Sequence, residues 1–250
     1  MTTKPSPLPK PLTPGPHTLA HAESNLLSVS ESDFLSLYLC KRRGVRIDAT
    51  DLNDYFIQEF ERLRAAEGLT ESRYRPSVED GRKLSFAPST FDAAYAISVL
   101  EHIPEEGDTA CLRELARVLR PGGRCLVTVP FAPQGREEFR RPDFYWAGPT
   151  VTPTAGPAAA GAAPVFYQRR YDEASLRRRL IEPSGLRTVS LAYIGERVLT
   201  RAPRVQLVDF LKPWSGPLHP LLAWVCLTRP RADWKSLKKP LCAVIVLEKP

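Results

Sequence analysis

The sequence predicts an α/β fold: a seven-stranded, mostly parallel sheet with helices on both faces and a helical insert near the C-terminus. Residues 91–131 carry this expectation, reading FDAAYAISVLEHIPEEGDTACLRELARVLRPGGRCLVTVPF. The short apolar run 93–99 has the length and continuity of a strand covered on both faces of a parallel sheet. Leu112, Leu115, Ala116 and Leu119 recur at helical spacing, so one stripe of that segment faces a sheet. Pro121-Gly122-Gly123 should stop the helix, because proline cannot continue it and glycine adopts the left-handed cap. Residues 125–131 then read as a second buried strand, completing half of a parallel crossover.

The other elements follow in chain order. Residues 26–29 form a first strand, Ser30-Glu31-Ser32-Asp33 a turn, and residues 34–43 a helix closed by Gly44. Residues 45–50 make a second strand ending at Asp51, and residues 55–66 an amphipathic helix with Phe56, Phe60 and Leu63 on one face. Residues 75–78 are a third strand. Residues 147–164, rich in Ala, Pro, Gly and Thr, bury little and are expected to form a flexible insertion. Asp172 is a good N-cap for a helix whose apolar side is Leu176, Leu180 and Ile181, ended by Pro183-Ser184-Gly185. Strands at 186–193 and 242–247 complete the sheet.

At 250 residues, the chain can bury one good core, so residues 23–250 are read as one domain. Residues 1–22 are proline-rich, lack the apolar stretch of a signal or membrane segment, and are expected to be a disordered arm. Five scattered cysteines (Cys40, Cys111, Cys125, Cys226 and Cys242), mostly inside apolar runs, suit a reducing, cytoplasmic compartment rather than a disulfide framework. Only four histidines are present and none stands beside a cysteine pair, so no metal site is expected. The formal charge of +7 is concentrated from residue 197 onward, where ten Lys/Arg face three Asp/Glu.

The FDAAYAISVLEHI and LRELARVLRPGGRCLVTVPF elements, in this order and at this separation, resemble the class I methyltransferases that use S-adenosylmethionine (SAM) on small molecules. The resemblance covers residues 26–131 and implies a Rossmann-like sheet with SAM at the carboxyl ends of its first strands. It implies that Asp51, ending VRIDATD, accepts the ribose hydroxyls, for which two ionised oxygens are suited. The residue type alone equally allows a helix N-cap or a solvated loop acid there. It implies that Asp80, in VEDGRKLSF, accepts the adenine amino group, a surface loop acid being the alternative. Ser98, Val99 and Leu100 would line the sulfonium side, unless they are ordinary strand-end packing. His102 follows that strand and would face the acceptor as a general base, since imidazole titrates near neutrality. A helix cap or a backbone hydrogen bond would account for it as well.

One departure bears on the cofactor. Family members carry a glycine-containing turn after the first strand, where a bare backbone approaches the ligand. Here LLSVSESDF stands in that place, with Ser30 and Ser32 in the turn and Ser28 before it. A serine held at positive φ costs about 1 kcal/mol or more. Its hydroxyl can also bond the methionine carboxylate, so Ser30 and Ser32 are candidate cofactor contacts in a remodelled site.

Residues 201–240 form a basic and apolar insert around VQLVDFLKPWSGPLHPLLAWVCL. Proline interrupts it too often for a membrane span. It reads as a cap over the acceptor pocket or as a peripheral membrane contact. No recognised nucleic-acid motif is present. The expected function is SAM-dependent methyl transfer to a small-molecule or lipid-linked acceptor, with Phe166-Tyr167-Gln168-Arg169-Arg170 in the acceptor pocket and its arginines suited to an anionic group. The alternative is a catalytically silent relative of the same fold acting as a binding or scaffolding module. The oligomeric state is left open.

Overall fold

The computed structural model describes residues 24–29, 34–140, 163–196 and 227–250. The main sheet contains β1 (Asn25–Val29), β2 (Arg46–Asp51), β3 (Tyr74–Val78), β4 (Phe91–Ile97), β5 (Leu119–Pro130), β8 (Arg187–Gly195) and β9 (Pro240–Glu248). Their order is β3-β2-β1-β4-β5-β9-β8. Strands β3, β2, β1, β4 and β5 are mutually parallel, and β9 runs antiparallel to both of its neighbours, so the sheet is mixed. A separate two-stranded ribbon pairs β6 (Arg136–Arg140) with β7 (Val165–Arg170).

Alternation along the strands divides the core between the two faces. Leu26, Ala93 and Tyr95 meet Leu37 and Cys40 of α1 (Phe34–Arg43) and Ile57 and Phe60 of α2 (Asp54–Ala66). Leu27, Val29, Ala94, Ala96, Val127 and Val129 belong to the other cluster, with Leu112 and Leu115 of α3 (Gly107–Val118). Leu176 and Leu180, in the helix that follows β7, join that second cluster. Helix α4 spans residues 173–184 in three consecutive pieces: Glu173–Ser175, a π-helical stretch Leu176–Ile181, and Glu182–Ser184. Gly185 at φ 67° closes it. Pro76 sits in β3, at the sheet edge, where a missing N–H does no harm.

Six of the seven strands and the first two helices lie where the sequence puts them, within a residue or two at each end. Strand β5 starts at Leu119, six residues before the expected Cys125. Three expectations need correction. Helix α3 ends at Val118, before the Pro-Gly-Gly turn, and its cap Leu119 is already extended. Phe91 pairs with Leu119 and Ala93 with Arg124, so residues 120–123 bulge out of the β4–β5 ladder. Gly122 takes φ 77° there, and a Cβ on Gly123 would lie 2.8 Å from the Arg120 carbonyl oxygen. Strand β4 ends at Ile97, leaving Ser98 and Val99 outside it. Residues 136–140, unassigned from sequence because REEFR has no buried alternation, are a strand of the ribbon.

The proline-rich arm, the flexible insertion apart from its last two residues, and most of the 201–240 insert lie outside the described residues. Within the described part of that insert, the helical structure is the short turn Trp234–Ser236. No helix among the described residues is long and apolar enough to cross a membrane.

Candidate cofactor and acceptor site

Val29, the last residue of β1, lies between Thr50 on one side and Ala96 on the other. Asp51 and Ile97 are therefore the next residues beyond β1 on its two flanks. Asp51 Oδ1 accepts the Asn53 N–H at 2.7 Å, and Asn53, not Asp51, caps α2 through Tyr55 N–H at 3.0 Å. The N-cap alternative for Asp51 is thereby removed. The Glu79 N–H donates to the Asp51 carbonyl at 3.0 Å, which brings the loop carrying Asp80 beside the end of β2.

Asp80 is already engaged. Arg82 donates to it from Nε at 2.9 and 3.1 Å, from Nη2 at 2.8 Å and from the backbone at 2.9 Å. These bonds hold its carboxyl below the ordinary carboxylate range. Across β1, Ser98 adopts φ 54°, a left-handed conformation that costs a serine about 1–2 kcal/mol. Its N–H donates to the Thr128 carbonyl at 3.0 Å, and its side chain is exposed. Val99 is half-buried, whereas Leu100 is fully buried in the core and cannot line a ligand site. Ser30 and Ser32 lie outside the described residues.

His102 is the junction between this edge and the ribbon. Its Nδ1 is 2.8 Å from the carbonyl oxygen of Tyr167 in β7. A carbonyl only accepts, so Nδ1 carries a proton in this contact, and in the neutral imidazole Nε2 carries the lone pair. Nε2 lies 3.9 Å from Oε1 of Glu101, a residue only 1% exposed. The imidazole also meets the Tyr167 ring edge-on at 5.3 Å, and the Arg140 guanidinium lies 3.4 Å above that ring's centre.

The donor set fits SAM. A half-buried carboxylate ends β2, as a ribose diol requires. Leu52 and Val78, 66% and 50% exposed, leave apolar surface at the ends of adjacent strands, as a flat base requires. Residues 32–127 match the model of a methyltransferase domain family. Methyltransferase GfsG of Streptomyces halstedii is 25% identical over 180 residues, covering 72% of this chain and 58% of GfsG. Residues 32–127 are therefore similar to the class I SAM-dependent methyltransferase domain.

The chain spans less than two thirds of GfsG's length. A SAM-dependent methyltransferase from Methanosarcina mazei has the same fold, with TM-score 0.59 at 17% identity, over 95% of this chain and 98% of that one. The [4+2]-cyclase SpnF also shares it, with TM-score 0.59 at 20% identity, over 94% and 77% of the two chains.

The β6–β7 ribbon corrects one expectation. Arg169 is 4% exposed and is neutralised by Asp108 at 3.0 Å and Glu137 at 2.9 Å. Arg170 pairs with Glu138 at 2.8 Å. Neither is a spare cation for an anionic acceptor. A cavity of about 250 Å³ between the ribbon and α4 is lined by Arg136, Arg178 and Arg179 as well, but among the described residues acids pair with Arg136, Arg169, Arg170 and Arg179.

Sequence reasoning missed Asp108, Arg169, Tyr171 and Arg179 as a cluster. Asp108, wholly buried, accepts from Arg169 Nη1 at 3.0 Å, Tyr171 Oη at 2.8 Å, and Arg179 Nε and Nη2 at 2.8 Å. Burial alone would push its carboxyl up; the bonds from Arg179 and Tyr171 and the two guanidinium charges outweigh it and hold the carboxyl low. One signal was available: Asp108 stands four and seven residues before Leu112 and Leu115, on the helix's apolar stripe.

Proposed function

We propose that the chain transfers a methyl group from SAM to a small-molecule acceptor held between the end of β4 and the β6–β7 ribbon. The observation that carries this reading is the His102–Tyr167 contact, which turns Nδ1–H to a carbonyl and leaves Nε2 as the basic nitrogen of the imidazole. SAM supplies an electrophilic methyl on a sulfonium. Asp51 would bind the ribose diol, and Leu52 and Val78 would flank the adenine. Asp80 would reach the adenine amino group only by sharing oxygens with Arg82. Ser98 and Val99, and the sequence candidates Ser30 and Ser32, would contact the methionine end.

His102 would take the acceptor's proton at Nε2 as its oxygen, nitrogen or carbon attacks, and buried Glu101 would stabilise the resulting imidazolium. The acceptor, a free small molecule or a lipid-linked one, is expected to be recognised by aromatic stacking and shape, since Arg169 and Arg170 are committed to acids. The alternative is a chain of this fold that does not methylate. It is favoured by the engagement of Asp80 and by the cyclase built on the same fold.

Calorimetric titration with S-adenosylhomocysteine (SAH) separates the readings. Micromolar binding that weakens at least tenfold in Asp51→Ala, with an unchanged melting temperature, supports the methyltransferase reading. A folded wild-type chain that shows no binding at several temperatures rejects it.

A further inference from the structure

The group that holds His102 belongs to an element with little support of its own. Among the described residues strand β7 pairs with β6, outside the main sheet, and its far end is tied to the end of β5 where Tyr171 exchanges backbone bonds with Pro130 and Ala132 at 3.0 and 2.8 Å. Yet the Tyr167 carbonyl must stay within hydrogen-bond reach of a ring 65 residues earlier in the chain. The Tyr171 bonds fix β7 to β5, and a separate tie sets it against the loop that follows β4.

Arg169, two residues beyond Tyr167, does this. Its Nη2 donates to the Glu105 carbonyl at 3.0 Å and its Nη1 to Asp108 Oδ2 at 3.0 Å. Both targets lie just after His102, so one guanidinium ties β7 to the loop that carries the histidine. Glu105 is held at φ 55°, and its carbonyl also accepts from Arg179 Nη2. Such strain persists where surrounding contacts over-determine it, and it gathers at functional sites. Buried ion clusters of this kind contribute little net stability compared with apolar packing, so their gain is in geometry.

We propose that Arg169, held by Asp108, is a positioning residue for His102: it places the Tyr167 carbonyl that keeps the imidazole proton on Nδ1 and leaves Nε2 as the base. This rests on the reading of His102 as a proton acceptor and is independent of whether SAM binds. A solvated imidazole favours the opposite tautomer, with the proton on Nε2, so the contact reverses an intrinsic preference.

The test is nitrogen-15 NMR of the imidazoles in the full chain, above the histidine titration range, with the His102 signals assigned from His102→Gln. The wild type should hold His102 as the Nδ1–H form. Arg169→Lys keeps the charge beside Asp108 but loses the fork, and should move most of the population to Nε2–H while leaving SAH affinity unchanged. The double exchange Asp108→Leu with Arg169→Met, which removes the cluster's two most buried charges and leaves Arg179 paired with Glu106, should do the same. A purely structural cluster would lower the melting temperature and leave the tautomer alone. An Nε2–H wild type, or retention of Nδ1–H in either folded variant, overturns the proposal. Loss of SAH binding in the wild type would reject the cofactor reading instead and leave this result readable.

Discussion

At the scale of residues, one hydrogen bond decides what His102 can do. Its sequence context allowed a base, a helix cap or a backbone contact. The bond to the Tyr167 carbonyl makes the backbone contact real and, by fixing the tautomer, makes the base possible as well. His102→Gln is expected to lower turnover by about 10²–10⁴-fold while SAH affinity stays within twofold of wild type, measured by product formation and calorimetry. Turnover within threefold of wild type would mean that orientation and desolvation alone drive the transfer. Asp51 was legible in the sequence because a strand-ending acid followed by a helix is a local pattern. Glu101 was not: a glutamate in LEHI reads as surface, and only its place under the β4–α3 turn buries it.

At the scale of elements, α4 is shaped by its ends. Asp172 Oδ1 accepts the Ser175 N–H at 2.8 Å and Ser175 Oγ accepts the Asp172 N–H at 2.9 Å, a reciprocal cap. Asp172 Oδ2 also accepts the Gly135 N–H at 2.9 Å, which fastens the start of the ribbon. Asp172→Ala is therefore expected to destabilise the chain by about 1–2 kcal/mol in urea unfolding. A change below about 0.3 kcal/mol would show that the cap is redundant. At the other end, Pro183 has no N–H to give the ladder, and the Glu182 N–H reaches back five residues to the Arg177 carbonyl. The Arg179 carbonyl accepts Thr109 Oγ1 at 2.7 Å, which ties α4 to α3. The N-cap was readable because capping is local. The π-helical stretch and the tie to Thr109 were not, since the partner lies 70 residues away.

At the scale of the whole molecule, two properties follow from how distant segments meet. Asp80, Asp108, Glu114, Glu138, Asp172 and Glu248 all titrate below their ordinary values in the folded chain. A carboxylate with a lowered folded pKa adds stability above its unfolded value and loses it as pH falls through the folded one. Thermal stability should therefore be flat near neutrality and fall below about pH 4, where unfolded carboxylates begin to protonate. Stability that instead rises on acidification would contradict these pairings. The second property is β9, which lies between β5 and β8 near the C-terminus. Deleting residues 240–250 would open two strand edges at once and should leave the chain insoluble or molten by near-UV circular dichroism. A soluble truncated form with native spectra would show that β8 can pair elsewhere.

The sequence by itself determined the order of strands and helices, the parallel crossover around residues 91–131, and the acids at the ends of β2 and β3. These rest on periodicity, caps and turns, each written within a dozen neighbouring residues. Tertiary structure alone decided that REEFR is a strand, that Arg169 and Arg170 are neutralised, that Leu100 is core, and that β7 reaches back to His102. Each depends on a partner at least about thirty residues away, as with Glu138 and Arg170. Local pattern carries no information on which distant charge or carbonyl will be brought close, because closing those loops is driven by burial of the whole core.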